Sequence, residues 1–471
     1  MEICIKLKNE ERRLKLGMDF YELDISDKKG CDYISPDFIV CMSKDLMIRG
    51  QDFYAVYNKM TGFWSTNIYD VATLIDAEMD EYAHNTYVGD RARSYSIQYM
   101  RKFRSRSWKE FVTFIKSTGD NYHPLDNNIL FKNSEVKKSD YATKTLPYDL
   151  AEGSTENWDK LVGTLYSPEE KQKIEWAIGS IVAGDSKKLD KFYVFYGNSG
   201  TGKSTVLNII EKLFEGYCVP FEAKNLVGGS DFALEDFKSN PLVAIDHDAK
   251  LDKIEENVKL NLLVSHEPLV INEKHKNKYT MKPNAVLFLG TNTPVQMTDS
   301  KTGLKRRLID IQPTGNLLPE REYNKCMKQI MNFELGGIAS KCLKVYKDLG
   351  YSYYRHYIPV DMFYKTDLFF NFMEENYYMF STQEVVTLKQ AFELYKKYAD
   401  ENDLNKRLTK MVVRESLIDY FDEYIPDYHD NDGKHILHVY RGLKKDRFGR
   451  VVNKNKFNTK KGSYCCLRRD D

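Results

Sequence analysis

Residues 197–204 read Gly-Asn-Ser-Gly-Thr-Gly-Lys-Ser, directly after the apolar run Phe192-Tyr-Val-Phe-Tyr196. The octet fits G-x-x-x-x-G-K-[ST] at every fixed position, in the strand-then-helix setting that gives the pattern its meaning. Such a chain has little freedom, because a buried strand must deliver a glycine-rich turn to the start of a helix. The turn's N–H groups then face inward, and the helix adds the positive end of its dipole. A nucleoside triphosphate, ATP with Mg²⁺, is the ligand that this cradle suits. Gly197, Asn198, Ser199, Gly200, Thr201, Gly202, Lys203, Ser204 and Thr205 are its expected contacts. Lys203 reaches the β- and γ-phosphates, and Ser204 ligates the metal.

Further on, Pro241-Leu-Val-Ala-Ile-Asp-His-Asp248 reads as a buried strand ending in acid, expected beside the first strand. One carboxylate of Asp246 and Asp248 holds the metal, directly or through water, and another polarises the attacking water. His247 between them reads as a bystander. Asn284-Ala-Val-Leu-Phe-Leu-Gly-Thr-Asn292 is another buried strand, and the amide of Asn292 is placed to orient that water. Lys301-Thr-Gly-Leu-Lys-Arg-Arg307 then runs into the edge-strand pattern Leu308-Ile-Asp-Ile-Gln312. Arg306 or Arg307 could reach a neighbouring subunit's γ-phosphate as an arginine finger. Between the acids and Asn292, two extended arms flank a tip carrying Lys274, His275, Lys276 and Lys278. By itself this is a charged surface hairpin. In a ring-shaped motor it would grip nucleic-acid phosphates.

The 471 residues exceed one ordinary core, so several domains are expected. Residues 1–120 mix strand-like and helical pieces, with a hairpin at Phe53–Trp64 and an amphipathic helix from Ser107. A connector, 121–165, holds short extended segments near Ile129–Phe131 and Thr145–Pro147. A helix then opens at Ser167-Pro168, with Glu170 completing a capping box. Residues 166–345 alternate strands and helices, the pattern of a mostly parallel sheet. In 360–471, helices at Leu388–Tyr398 and Lys410–Phe421 precede a turn at Asn431-Asp-Gly433 and a strand. That order suggests a winged-helix-like module.

Net charge is +1, so any nucleic-acid footprint is local. From Arg441 to Asp471 there are eleven Lys or Arg against three Asp, which suits either a solvated tail or a phosphate-binding arm. No apolar run approaches the roughly 18 residues needed to span a bilayer, and the N-terminus lacks a signal-peptide pattern. Eight scattered cysteines without a C-x-x-C pair suit free thiols in a reducing, cytoplasmic setting.

The ordered set of phosphate loop, acidic strand, basic hairpin, Thr-Asn strand and Arg-Arg resembles the superfamily 3 helicases. It is most similar to the phage and poxvirus type found as the C-terminal half of primase-helicases. The resemblance covers about Asn127 to Pro313 and includes the lead-in with Trp158 and Tyr166. It implies an AAA+-like sheet, a hexameric ring, ATP hydrolysis at subunit interfaces and 3′-to-5′ translocation on single-stranded or forked DNA during viral replication. Carried over, Lys203 and Ser204 take the phosphate-loop roles, Asp246 and Asp248 the acidic roles, and Asn292 the sensor. Lys274 to Lys278 take the DNA hairpin, and Arg306 or Arg307 the finger. The chain departs from the family in one place, where His247 separates two acids that are usually adjacent. Residues before 120 are too few for a fused primase and lack a metal-binding acid cluster. A stand-alone helicase is therefore expected, with an N-terminal collar and a separate primase or polymerase partner. The competing readings are a nucleotide-dependent DNA-binding initiator without processive unwinding and, more remotely, a P-loop small-molecule kinase.

Overall fold

The computed structural model describes residues 13–14, 17–39, 42–87, 94–102, 104–227, 233–249, 258–273, 278–295, 303–304, 306–360, 362, 368–402, 407–429 and 435–448. The chain divides into two compact units. One holds residues 1–149 with two later returns, 237–241 and 268–282, and the other holds 150–236, 242–267 and 283–471.

In the first unit, β1 (Arg13–Leu14), β2 (Tyr21–Lys28) and β3 (Cys31–Phe38) run antiparallel in that order. A separate antiparallel meander follows: β4 (Leu46–Arg49), β5 (Asp52–Asn58) and β6 (Phe63–Ser65). Its last turn is the one read from the sequence. Helix α1 (Ile68–Tyr87) buries Val71, Ala72, Ile75, Met79 and Ala83, a single stripe at helical spacing. β7 (Ser94–Ile97) joins β3 in parallel. Helix α2 (Arg106–Ser117) is capped by Ser105, whose hydroxyl accepts from Trp108 N at 3.1 Å. Its Phe111, Phe114 and Ile115 close one core with Phe20, Leu23 and Ile34.

The second unit opens with α3 (Glu156–Leu165) and α4 (Pro168–Val182). Ser167 caps α4 as expected, accepting from Glu170 N at 3.3 Å. Glu170 does not close the capping box. One of its oxygens accepts from Gln312 N at 3.0 Å, and the other lies 2.8 Å from the buried Lys173 Nζ. Lys173 in turn donates to the Asp310 carbonyl at 2.6 Å. The carboxylate is thus held by a nearly solvent-free ammonium, which outweighs one N–H bond at a helix end.

The main sheet is assembled from β8 (Phe192–Tyr196), α5 (Lys203–Leu213), β9 (Cys218–Pro220), α6 (Ala223–Val227), β10 (Val243–Asp246) and α7 (Val258–Val264). After the excursion of β11 (Leu269–Ile271) and β12 (Tyr279–Met281) into the first unit, the chain returns as β13 (Val286–Thr291) and β14 (Leu308–Ile311). All five strands run parallel in the order β14-β8-β13-β10-β9. The acidic strand is therefore not beside the first strand. Phe288 of β13 pairs with Tyr193 on one side and Ile245 on the other. These central strands are buried on both faces, so their apolar runs carry no neighbour information.

Helix α8 (Glu320–Gln329) passes through a π-helical turn, Ile330–Glu334, into α9 (Leu335–Leu349). The turn aims Glu334 at the start of α3, where it accepts from Asn157 N at 3.2 Å and Trp158 N at 3.0 Å. Thr155, the residue at that cap position, makes no side-chain cap bond of its own.

The C-terminal elements are α10 (Leu368–Glu375), α11 (Tyr377–Thr382), β15 (Val386–Thr387), α12 (Leu388–Glu401), α13 (Lys410–Ile418), β16 (Phe421–His429) and β17 (His435–Leu443). The strands form an antiparallel sheet ordered β15-β17-β16. The helix expected to reach Phe421 ends at Ile418, and Phe421 opens β16. Phe372, Tyr395, Val413, Leu417 and Tyr440 make one core here. The turn Asn431–Gly433 and the basic end from 449 onward lie outside the described residues. Among the described residues, no helix is long and apolar enough to cross a membrane, and Cys31, Cys218, Cys326 and Cys342 are free thiols.

Candidate functional site

The loop 197–202 leaves the fully buried β8 and enters α5 at Lys203. Gly200 and Gly202 have φ of 78° and 94°, left-handed conformations that a side chain would strain. Gly202 occupies the N-cap position, where it offers no side chain to cap the first-turn N–H groups. That is the geometry in which an anion completes the helix. Thr201 Oγ1 donates to Asn198 O at 2.8 Å and fixes the turn. Ser204 is exposed at the loop's mouth.

Lys203 is only 7% exposed, and its Nζ donates to Gly197 O at 2.6 Å, Asn198 O at 2.9 Å and Asn292 Oδ1 at 3.0 Å. Burial pulls its pKa below the ordinary lysine value, and the nearby Asp248 carboxylate opposes that shift. Asn292 can meet Lys203 because β13 lies beside β8, with Thr291 in register with Tyr196.

Asp246 ends β10 half-buried, and its two oxygens accept from Ala223 N at 2.8 Å and Asp248 N at 3.1 Å. Burial raises its pKa, while those two N–H bonds counter the rise. Asp248 is exposed. His247 turns away, its Nε2 lying 3.5 Å from Glu211 of α5. The acidic turn sits close over β13. A Cβ at Gly290 would lie 2.7 Å from the His247 carbonyl oxygen, and Ala249 N donates to Gly290 O at 2.7 Å.

Arg306 and Arg307, equivalent in the sequence, have different surroundings. Arg306 is exposed, and its carbonyl accepts a hydrogen bond from Lys191. Arg307 is half-buried and donates to Asn261 Oδ1 at 2.6 Å, and its Nε has no hydrogen-bond partner among the described residues. Burial, then the adjacent Arg306 charge, lowers its pKa.

Of the basic hairpin, Lys274, His275 and Lys276 lie outside the described residues, and Lys278 is exposed. Within the first unit the hairpin is pinned by Tyr279, whose ring centre is 3.8 Å from the Arg49 guanidinium carbon. Arg49 also sits 4.3 Å from the Tyr54 ring. Sequence reading missed this anchor because its partners are more than two hundred residues apart.

It also missed the floor of the loop. Tyr166 bridges to Pro313, and Thr314 N donates to Leu165 O at 2.8 Å. The Leu165 side chain would be 2.8 Å from a Cβ at Gly202.

The donor set suits ATP with Mg²⁺, since a hydroxyl, one or two carboxylates, phosphate oxygens and water are what this ion takes. Among the described residues, no group of three His, Cys, Asp or Glu side chains is placed to hold a metal without a substrate.

A family model matches residues 195–307, from the end of β8 to just before β14, and its family is one of unknown function, DUF5906. No curated protein matches the chain. Among solved structures, the apo structure of the NrS-1 C terminal region (305-718) is similar at TM-score 0.39 and 17% identity, over 63% of this chain and 78% of that one. An A form apo structure of the same region gives TM-score 0.40 and 14% identity over the same shares. These are remote likenesses, and the chemistry of this site rests on its own residues.

Proposed function

We propose that the chain is an ATP-driven replicative DNA helicase of the superfamily 3 type, working as a hexameric ring with 3′-to-5′ polarity. One observation carries the reading: Lys203 of the 197–204 loop is hydrogen-bonded to Asn292 at the end of the adjacent parallel strand. Phosphate-gripping ammonium and water-orienting amide are thereby held as one unit.

In this reading the loop N–H groups and Lys203 bind the β- and γ-phosphates. Ser204 and Asp246 hold the Mg²⁺, directly or through water, and the ion when bound offsets the charge of the phosphate oxygens. Asp248, exposed and electrostatically coupled to Lys203, accepts the proton of the attacking water, which Asn292 orients. Arg306 is the finger that reaches a neighbouring subunit, because Arg307 is engaged by Asn261 of its own chain. The hairpin bearing Lys274, His275, Lys276 and Lys278 follows single-stranded DNA. The C-terminal elements form a winged helix, and the domains divide near 120, 165 and 345–360.

Unwinding of a forked duplex by the full chain, dependent on ATP and Mg²⁺, is the test. Nucleotide-dependent DNA binding without strand displacement would instead indicate an initiator-type switch. For the finger, Arg306→Ala is expected to bind ATP normally and hydrolyse it about a thousandfold more slowly. Mixing it with Lys203→Ala subunits, which keep Arg306, should restore turnover at mixed interfaces. Absence of rescue rules out action in trans.

A further inference from the structure

On α5, Lys203 and Thr205 are two positions apart, which is about 200° around the helix axis. They therefore face opposite sides. Lys203 points to Gly197, Asn198 and Asn292, the side of the β- and γ-phosphates. Thr205 points the other way, and its Oγ1 lies 3.3 Å from the hydroxyl of Tyr323 in the first turn of α8. If the β- and γ-phosphates take the Lys203 side, the Thr205 side is the one left for the nucleoside. Tyr323 is half-buried, and its neighbour Glu322 forms a 2.6 Å ion pair with Lys160 of α3. The end of α3, through Leu165, abuts Gly202 of the loop. Tyr323 thus lies beside Thr205, on a helix that is tied to α3 through the Glu322–Lys160 pair.

We infer that Tyr323 is the nucleobase-stacking residue of the nucleotide site, its ring receiving the base of a nucleoside triphosphate whose phosphates lie on the 197–204 loop. The inference rests on the proposed triphosphate site and extends it to the part of the ligand that the loop cannot recognise. A phenol ring offers a base a flat apolar face at low entropic cost, and the approach of its hydroxyl to Thr205 shows how near the ring lies to the loop. The role belongs to the ring rather than the hydroxyl, so phenylalanine should serve in its place.

The test is competition against a fluorescent ATP analogue on the full chain, with ATP and base-free inorganic tripolyphosphate as competitors. Tyr323→Ala is expected to weaken ATP about tenfold, within the range of base–aromatic stacking, and to leave tripolyphosphate unchanged. Tyr323→Phe should bind ATP within about twofold of the wild type. Equal weakening of both competitors by Tyr323→Ala, or of neither, overturns the inference, as does a loss in Tyr323→Phe as large as in the alanine variant. The triphosphate site itself is read separately. Wild-type protein should bind tripolyphosphate and Lys203→Ala should not; if the wild type binds neither competitor, the site falls, and the stacking role with it.

Discussion

Replacing Lys203 with alanine is expected to lower ATP turnover by on the order of a thousandfold while barely moving the melting temperature. The asymmetry follows from what the ammonium touches. All three protons go to acceptors at the loop and its neighbouring strand: Gly197 O, Asn198 O and Asn292 Oδ1. Asn198 and Asn292 are exposed, so water can replace a lost donor there, and a hydrogen bond exchanged in this way is worth about 1 kcal/mol or less. Folding therefore loses little. Hydrolysis loses a positive charge already desolvated and aimed, which a neutral water molecule does not supply as the phosphate charge shifts. In the proposed reading the ammonium lets go of the Gly197 and Asn198 carbonyls to reach a phosphate. Phosphate release at saturating ATP with single-stranded DNA, beside a thermal melt, checks both halves. Turnover within tenfold of the wild type would place hydrolysis elsewhere in the chain.

Local features of this site were legible in the sequence because they are encoded locally. The apolar run, the glycine spacing and Lys203-Ser204 fix a strand, a turn and a helix start, and the structure has β8 and α5 there. The Ser167-Pro168 start of α4 was equally readable. The order of the sheet was not. β8, β10 and β13 are alike in composition and burial, and only the packing of the crossovers decides that β13 lies between the other two. That insertion is what brings Asn292 to Lys203. Buried charge was hidden for a related reason. Lys173 looks like an ordinary polar position of an amphipathic helix, yet it is 2% exposed because Glu170 and the Asp310 carbonyl are folded against it. The two arginines before β14 could not be told apart either, since what separates them is Asn261, forty-six residues upstream.

The same substitution, glycine to alanine inside a helix, is expected to have opposite signs at two positions of the second unit. Gly163 in α3 is exposed, and an added Cβ would meet nothing within 4 Å. Alanine there should stabilise the protein by about 0.5–1 kcal/mol, the intrinsic helix preference. At Gly179 in α4, the added Cβ would lie 2.0 Å from the Cys342 carbonyl oxygen, 2.6 Å from its carbon and 2.7 Å from Tyr346 Cβ of α9. Two of these atoms are backbone, so no rotamer change makes room and the helices must part. They are also stitched on either side of the contact. Trp176 Nε1 donates to Gly350 O at 3.1 Å, and Tyr346 donates to Asp185 at 3.2 Å. Parting α4 from α9 strains both bonds. Overpacking of this kind typically costs 1–3 kcal/mol, and with the adjoining hydrogen bonds Gly179→Ala should lose about 2–4 kcal/mol net of the propensity gain. Denaturant midpoints for the two variants and the wild type provide the measurement. A Gly179→Ala midpoint at or above the wild type would mean that α4 and α9 do not cross this closely in solution.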